Sequence, residues 1–370
     1  CLWIHAVSLG EAIAATPLIK RIHQHYPNRM IVITTTTPTG AAWINKQFKT
    51  TATHAYLPYD YPWTMKRFFT HFNPTIGIIM ETELWPNTLA LAQARQIPMI
   101  LANARLSPKS LARYQRIPEL TKNMLSQLQH VLIQSGNIAQ RFFDLGLDKD
   151  NATIAGNLKF NAHIPDDIAS GHSKLKDMLA NHPCWIAAST HPGEEAIILA
   201  THQEILKHQP DAKLILAPRH PERCVAVEDL LREHGLTWQR YTQKCGILSE
   251  HLLLVDTIGE LMHCFAASDV AFIGGSLVPH GGHNLIEPLV FSLPTLTGPY
   301  TFNFTDIHML LTQEGVCETV ATQSASAEAV LPHLDRNESS FQEHCQAVLV
   351  KQQNALQHHL SIILPLITQS

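Results

Sequence analysis

Charge is scarce in this chain. Only 16% of its 370 residues are Asp, Glu, Lys or Arg, and 31 acids against 27 Lys and Arg leave a net charge of −4 with His neutral. That balance excludes the broad basic field of a nucleic-acid-binding surface. Paired cysteines are missing as well. The seven present are Cys1, Cys184, Cys224, Cys245, Cys264, Cys317 and Cys345, an odd number with no C-x-x-C among them. A disulfide scaffold and a zinc knuckle are both excluded, and the usage fits a reducing compartment. No apolar run reaches membrane-spanning length, and there is no signal peptide, internal repeat or low-complexity tract. Neither a Walker motif nor an early G-x-G-x-x-G occurs, which disfavours a nicotinamide oxidoreductase. An initiating Met is absent too. Cys1-Leu-Trp-Ile already reads as core strand, so residues are expected upstream of it.

What is present is a folding chain, 45% apolar and long enough for two domains, with 23 scattered His that would add positive charge on mild acidification. Short apolar runs alternate with helical periodicity. Strands are expected over Leu2–Val7, Met30–Thr35, Ala55–Pro58, Thr75–Met80, Met99–Ala102, His130–Gln134 and Ala152–Ala155. Helices are expected over Glu11–Tyr26, Ala41–Phe48, Met65–Phe72, Leu89–Arg95 and Ile138–Leu145, with broken helix within 107–135. The polar stretch 161–171 reads as a linker. Beyond it, strands at Trp185–Ala188, Lys213–Ala217, Leu252–Val255, Val270–Ile273 and Pro294–Leu296 alternate with helices at Glu194–Lys207, Val225–His234, Ile258–Ala267 and Leu285–Phe291. Residues 325–370 read as largely helical. This alternation predicts an α/β protein with two mostly parallel, doubly wound sheets and a binding crevice in each half, closing on the other.

Candidate chemistry gathers at the strand exits. In His5-Ala-Val-Ser-Leu-Gly-Glu11 two readings stand open. Glu11 suits a base that takes a proton from a hydroxyl. Ser8 and Glu11 equally form a helix-starting capping box. Gly10 permits close backbone approach or positive φ, and His5 reads as packed or hydrogen-bonded. Thr34–Thr37 with Pro38-Thr39-Gly40 offers hydroxyls and amides to an anion, or is strand propensity followed by a Thr/Pro turn. In Met80-Glu-Thr-Glu-Leu-Trp-Pro-Asn87, Glu81 and Glu83 share a face if the segment is extended. Such a pair suits acid–base work or holding a cation, and one member reads as structural through a pair with Arg105. No compact His/Asp/Glu set predicts a metal.

In the second half, Thr190, Gly193 and the following helix start suit a phosphate, while Glu194 and Glu195 oppose it or serve as first-turn acids. Arg219, in Pro218-Arg-His-Pro-Glu-Arg223, suits a phosphate or carboxylate clamp, and Arg223 reads equally as helix surface. Thr257 and Glu260 form a capping box around Gly259. Gly274-Gly-Ser276 is an amide-rich turn leading through Gly281, Gly282, His283 and Asn284 to Glu287, which is placed to accept ribose hydroxyls. Asn303 sits between Phe302 and Phe304, both expected to pack.

Taken in order along nearly the full length, these segments resemble the 3-deoxy-D-manno-oct-2-ulosonic acid (Kdo) transferases of lipopolysaccharide synthesis. The matching stretches are His5–Glu11, Thr34–Gly40, Met80–Asn87, Asn103–Ser107, Ala155–Phe160, His191–Glu195, Ala217–Arg223, Asp256–Leu261 and Gly274–Pro288. The resemblance implies a GT-B glycosyltransferase with two facing Rossmann-like domains. Residues 1–160 would bind acceptor, 161–340 would bind a CMP-sugar, and 341–370 would pack back on the first domain. It implies CMP-Kdo as co-substrate, the tetraacylated lipid A precursor lipid IVA as acceptor, and neither cofactor nor metal. Glu11 would be the general base of an inverting transfer, with Glu81 or Glu83 in a second essential acidic region. Pro218, Arg219, His220, Gly259, Gly275, Ser276, Asn284, Glu287 and Asn303 would serve CMP. Ser8, Gly10, Thr37, Gly40 and Arg105 would serve the acceptor. The resemblance also implies the cytoplasmic face of a bacterial inner membrane, an N-terminal anchor upstream of residue 1, and membrane contact through Trp63, Lys66, Arg67, Phe68 and Phe69. Two other classes remain open: another nucleotide-sugar enzyme, such as a lipid A disaccharide synthase or sugar epimerase, and a non-catalytic protein that binds an anionic ligand or lipid.

Overall fold

Leu2–His5 is buried at all four positions, so both of its faces are covered, as a central strand of a parallel sheet requires. The computed structural model describes residues 1–161, 164, 168, 174–243, 246–334 and 339–369, so the linker expected over 161–171 lies almost wholly outside the described residues. Two compact units form: Cys1–Asn161 with Val350–Ser370, and Ala162–Leu349.

In the first unit, Leu2–His5 (β1), Ile31–Thr35 (β2), Thr53–Tyr56 (β3), Ile76–Met80 (β4), Met99–Ala104 (β5), His130–Ile133 (β6) and Ala152–Ile154 (β7) make one sheet. All pairings are parallel, in the order β3-β2-β1-β4-β5-β6-β7. The chain leaves β1 toward one side for β2 and returns to the other side for β4. The β1/β4 boundary is therefore the switch point, where loops diverge and a crevice opens.

The second unit repeats the plan with Cys184–Thr190 (β8), Lys213–Pro218 (β9), Trp238–Arg240 (β10), Leu252–Leu254 (β11), Val270–Ile273 (β12), Thr295–Thr297 (β13) and Cys317–Thr319 (β14). Its order is β10-β11-β9-β8-β12-β13-β14, again all parallel, with the switch point between β8 and β12. The expected α/β class with two doubly wound sheets is what is found. Two edge strands escaped the sequence reading because edges carry little apolar signal: β10 is half-buried throughout, and only Cys317 is buried in β14.

Helix starts differ in a consistent way. The helices Pro38–Gln47, Pro62–Phe72 and Pro86–Ala94 begin at proline, three residues before the expected starts. Pro loses nothing at the first helical position, where its missing N–H has no helical partner and its φ is already helical. The helix Leu9–His25 likewise begins two residues early, which places Gly10 inside it. Gly10 is absent from the positive-φ positions, and a Cβ there would meet only Ser8 Oγ at 3.9 Å, so neither reading of that glycine is required by the backbone.

The final helix, Ser339–Gln369, joins the first unit from Val350 onward. Its Ala355, Leu360, Ile363 and Ile367 share a core with Leu18, Ile22 and Ile33. Among the described residues no helix is long and apolar enough to cross a membrane.

Candidate functional site

The capping-box reading of Ser8–Glu11 is realised, and the carboxylate that completes it is the one considered as a base. Ser8 is the N-cap, accepting from the Glu11 amide at 3.4 Å. The Glu11 carboxylate accepts from the Val7 amide at 2.8 Å and from the Ser8 hydroxyl at 3.1 Å. Capping leaves the carboxylate chemically unusual: burial, then the negative charge of Glu81, push its pKa up to about 7. Glu83 adds a smaller push in the same direction, while the Val7 and Ser8 hydrogen bonds oppose it. A carboxylate poised near neutrality is what general-base catalysis needs at physiological pH.

The three glutamates meet because β1 and β4 are neighbours in the sheet. Glu11 follows β1, and Glu81 and Glu83 follow β4. The condition under which Glu81 and Glu83 would share a face, an extended segment, is not met, because Glu81 turns at φ 57. The Glu81 carboxylate meets Lys159 Nζ at 2.7 Å. Arg105, the partner expected from sequence, meets this loop through its backbone, its amide lying 3.4 Å from the Glu81 carbonyl and its carbonyl accepting from the Thr82 hydroxyl. Glu83 accepts from Trp85 Nε1 at 2.9 Å, and its pKa is raised by burial.

Lys159 was missed as a site residue, although its stretch Ala155–Phe160 was singled out. Its neighbour Leu158 donates its amide to Asn103 Oδ1 at 3.0 Å, and the Asn103 amide donates to His359 Nε2 at 2.9 Å. Nothing local in the sequence signals this chain of contacts, which joins residues 55 and 256 positions apart.

Thr37 and Gly40, expected at an anion site, have structural duties. Thr37 Oγ1 caps its helix by accepting from the Gly40 amide at 3.2 Å. A Cβ on Gly40 would lie 3.3 Å from the Ser8 carbonyl carbon, so glycine lets this helix approach the Ser8 loop. His5 is buried, with Nδ1 2.8 Å from Thr34 Oγ1, and burial lowers its pKa to about 4, which keeps it neutral.

The expected membrane residues divide. Phe68 and Phe69 are core residues against Trp3, with ring centroids at 5.1 and 5.7 Å. Trp63, Lys66 and Arg67 remain exposed. Exposed Tyr59, Tyr61 and Trp85 accompany them, and Tyr61 stacks on Trp63 at 5.8 Å. Asp60 pins this aromatic loop by accepting from the amides of Asn87 and Thr88 at 2.9 and 2.8 Å, where the helix Pro86–Ala94 has no cap of its own.

In the second unit the amide-rich turn after β12 is already engaged. The amides of Gly275 and Ser276, residues expected to serve CMP, and of Leu277 donate to the buried Glu194 carboxylate. Ser276 Oγ donates to the Ile273 carbonyl at 2.5 Å and accepts from the Gly298 amide at 2.8 Å. Glu195 is no surface acid either. It is buried, its carboxylate 3.2 Å from Arg223 and 3.3 Å from the Thr190 hydroxyl, so Arg223 is an ion-pair partner and Thr190 points inward.

A cluster of imidazoles stands beside that turn. His191 Nε2 lies 2.8 Å from His283 Nε2, and His191 stacks on His280 at 4.2 Å. His220 is 6.1 Å away, edge-on. Burial lowers the His283 pKa to about 4 and also lowers that of His191, each ring further disfavoured by His280 and Arg219. Arg219 itself is exposed at the exit of β9, one residue past buried Pro218. Glu287 accepts from Asn284 Nδ2 at 3.1 Å, and burial raises its pKa. Asn303 Nδ2 donates to the His280 carbonyl at 2.9 Å, fixing the Gly281 loop. Its neighbour Phe302, expected to pack, is 57% exposed.

Gly259 turns at φ 99 on the surface. The capping box expected there does not form. The helix starts at Leu261, and Glu260 instead accepts from the Tyr241 hydroxyl at 2.5 Å. Among the described residues no group of three or more His, Cys, Asp or Glu is arranged to hold a metal.

A family model described as 3-deoxy-D-manno-octulosonic-acid transferase (kdotransferase) matches residues 1–162. A 3-deoxy-D-manno-octulosonic acid transferase of Haemophilus influenzae is 40% identical over 369 residues, covering 98% of this chain and 86% of that protein. One of Bordetella pertussis is 35% identical, covering 82% of this chain and 72% of its own. Among solved structures, a UDP-GlcNAc 2-epimerase from Neisseria meningitidis superposes with a TM-score of 0.69, at 14% identity and full coverage of both chains. That likeness concerns the fold alone.

Proposed function

The chain belongs to the 3-deoxy-D-manno-octulosonic acid transferase family, and we propose that it moves Kdo from CMP-Kdo to a hydroxyl of lipid IVA, with Glu11 as the base. The observation that carries this reading is the Glu11 carboxylate, pushed up to about 7 at the switch point of the first sheet. Ionised, it takes the acceptor proton as the oxygen attacks the anomeric carbon of Kdo. CMP leaves with the bonding pair, and the configuration inverts. Lys159 pairs with Glu81 and offsets part of its charge, which eases the approach of an anionic acceptor. Arg219, His220, Asn284 and Glu287 hold the nucleotide, with Arg219 facing the phosphate and Glu287 the ribose hydroxyls. Mass analysis of the product from CMP-Kdo and the tetraacylated acceptor tests the reading. Turnover of UDP-sugars instead would favour the epimerase or disaccharide-synthase alternative.

The base carries a pH signature. Glu11 must be ionised to act, and its midpoint is about 7. Transfer should fall about tenfold per pH unit below that midpoint. Because the Glu81 charge raises the midpoint, Glu81→Gln should move this acid limb to lower pH. A limb that stays near the ordinary carboxylate range in the unsubstituted enzyme would remove Glu11 from the base role.

Family membership suggests a role at the inner membrane, and we propose that the exposed aromatics beside Lys66 and Arg67 rest on its cytoplasmic surface. Amphipathic aromatic rings suit the headgroup layer, and the two cations suit anionic lipids. Replacing Tyr59 and Trp63 together by Ser should lower sedimentation with anionic vesicles several-fold without loss of fold. Unchanged vesicle binding would rule this face out.

A further inference from the structure

Glu194 is 0% exposed, yet its carboxylate is fully satisfied by backbone. Oε2 accepts from the amides of His191 at 2.9 Å and Gly275 at 2.7 Å. Oε1 accepts from those of Ser276 at 2.9 Å and Leu277 at 2.8 Å. Converging amides of this kind form an anion nest, the device that other proteins offer to phosphate. The donors come from two loops, one leaving β8 and one leaving β12, so a single side chain ties both sides of the switch point together. Gly274 makes the approach possible: a Cβ there would lie 2.7 Å from the Ser189 carbonyl and 2.9 Å from Glu194 Oε2. His191, whose amide the carboxylate holds, is the ring on which His280 stacks and which His283 meets.

We infer that Glu194 is a positioning residue, an internal carboxylate that fills the nest and holds His191 and the 274–277 turn so that a nucleotide phosphate meets Arg219 and the imidazoles instead of the glycine amides. The inference rests on the proposed donor reading for the nucleotide phosphate it names and for the choice of CMP as probe. Its physical content lies in four hydrogen bonds between a charged acceptor and neutral donors, each stronger than a neutral pair. Gln at this position keeps the shape but turns an NH2 toward two N–H groups, breaking two of the four.

Hydrogen exchange on the unsubstituted protein tests the nest directly. The amides of Gly275, Ser276 and Leu277 should be protected without ligand and unchanged by CMP. Fast exchange in the free protein, with protection gained on adding CMP, would assign the nest to the ligand and overturn the inference. Calorimetric titration with CMP supplies the second arm. Glu194→Gln should bind CMP at least about tenfold more weakly and raise KM for the donor more than it lowers kcat. Glu194→Ala should regain affinity and thermal stability when formate is added to refill the nest, whereas the unsubstituted protein should not respond. Wild-type CMP affinity in both variants would sink the inference. Failure of the unsubstituted protein to bind CMP would instead sink the donor reading, and the exchange data would still decide the role of Glu194.

Discussion

Glu11→Gln should reduce Kdo transfer by about 100-fold to 10,000-fold, the usual contribution of a general base, while CMP binding survives unchanged. The substitution separates the two duties of this side chain. Gln retains an oxygen for the Val7 amide, and the Ser8 hydroxyl rotates to suit the new group, so the helix start at Leu9 persists. What disappears is the ability to accept a proton. The residues proposed to hold the nucleotide lie in the other unit.

Stability gives a second check with a definite sign. The folded pKa of about 7 lies above the ordinary carboxylate value of 4.5, so the folded state holds the proton more tightly. This contribution is fully present below the unfolded pKa and is lost as pH rises through about 7. Gln does not titrate, so the variant should gain in Tm relative to the unsubstituted protein as pH rises across that window. Transfer at the normal rate, confirmed by product mass, would exclude Glu11 as the base. Lost transfer together with lost CMP binding would point to general damage.

Gly298→Ala should destabilise the second unit by about 3 kcal/mol, at the upper end of the overpacking range. A Cβ at this position would stand 2.2 Å from the Ser276 carbonyl oxygen and 2.3 Å from its carbon. Both are backbone atoms of the turn that holds Glu194, and no rotamer change relieves the clash. The same shift would break the Gly298 amide contact to Ser276 Oγ. For a unit of this size the loss corresponds to a fall in Tm of about 6–12 °C. Gly136→Ala is the contrasting control. It sits at a helix start without positive φ, and its Cβ would meet only Ile154 Cδ1 at 4.0 Å, so calorimetry should show little change or a slight gain. Equal Tm values for the two variants would refute the packing argument.

Two other glycines mark how far the sequence could be read. Gly274 and Gly275 announced a special turn, but the letters did not say whether its amides awaited a phosphate or an internal acid. Glu194 was visible as a charge opposing phosphate binding. Only the adjacency of β8 and β12, strands some 80 residues apart, brings it to those amides. Lys159 is a parallel case. It belonged to a recognised stretch, and its role becomes apparent only when the loop after β7 meets the loop after β4. Phe68 and Phe69 followed Trp63, Lys66 and Arg67 in a helical run, and periodicity could not tell which face Trp3 would cover.

What the sequence by itself determined is local and periodic. Apolar runs of strand length specified buried parallel strands, Ser8 with Glu11 specified a helix cap, and the ordered series of segments specified the family. These follow from interactions over a few residues, where side-chain type and spacing set the free energy. Only the tertiary structure decided which carboxylate is poised near neutrality, which is paired by Lys159, and which is consumed as an internal anion. A carboxylate's state depends on its burial and on the charges and donors within a few ångströms, and those neighbours are supplied by strand order, not by distance along the chain.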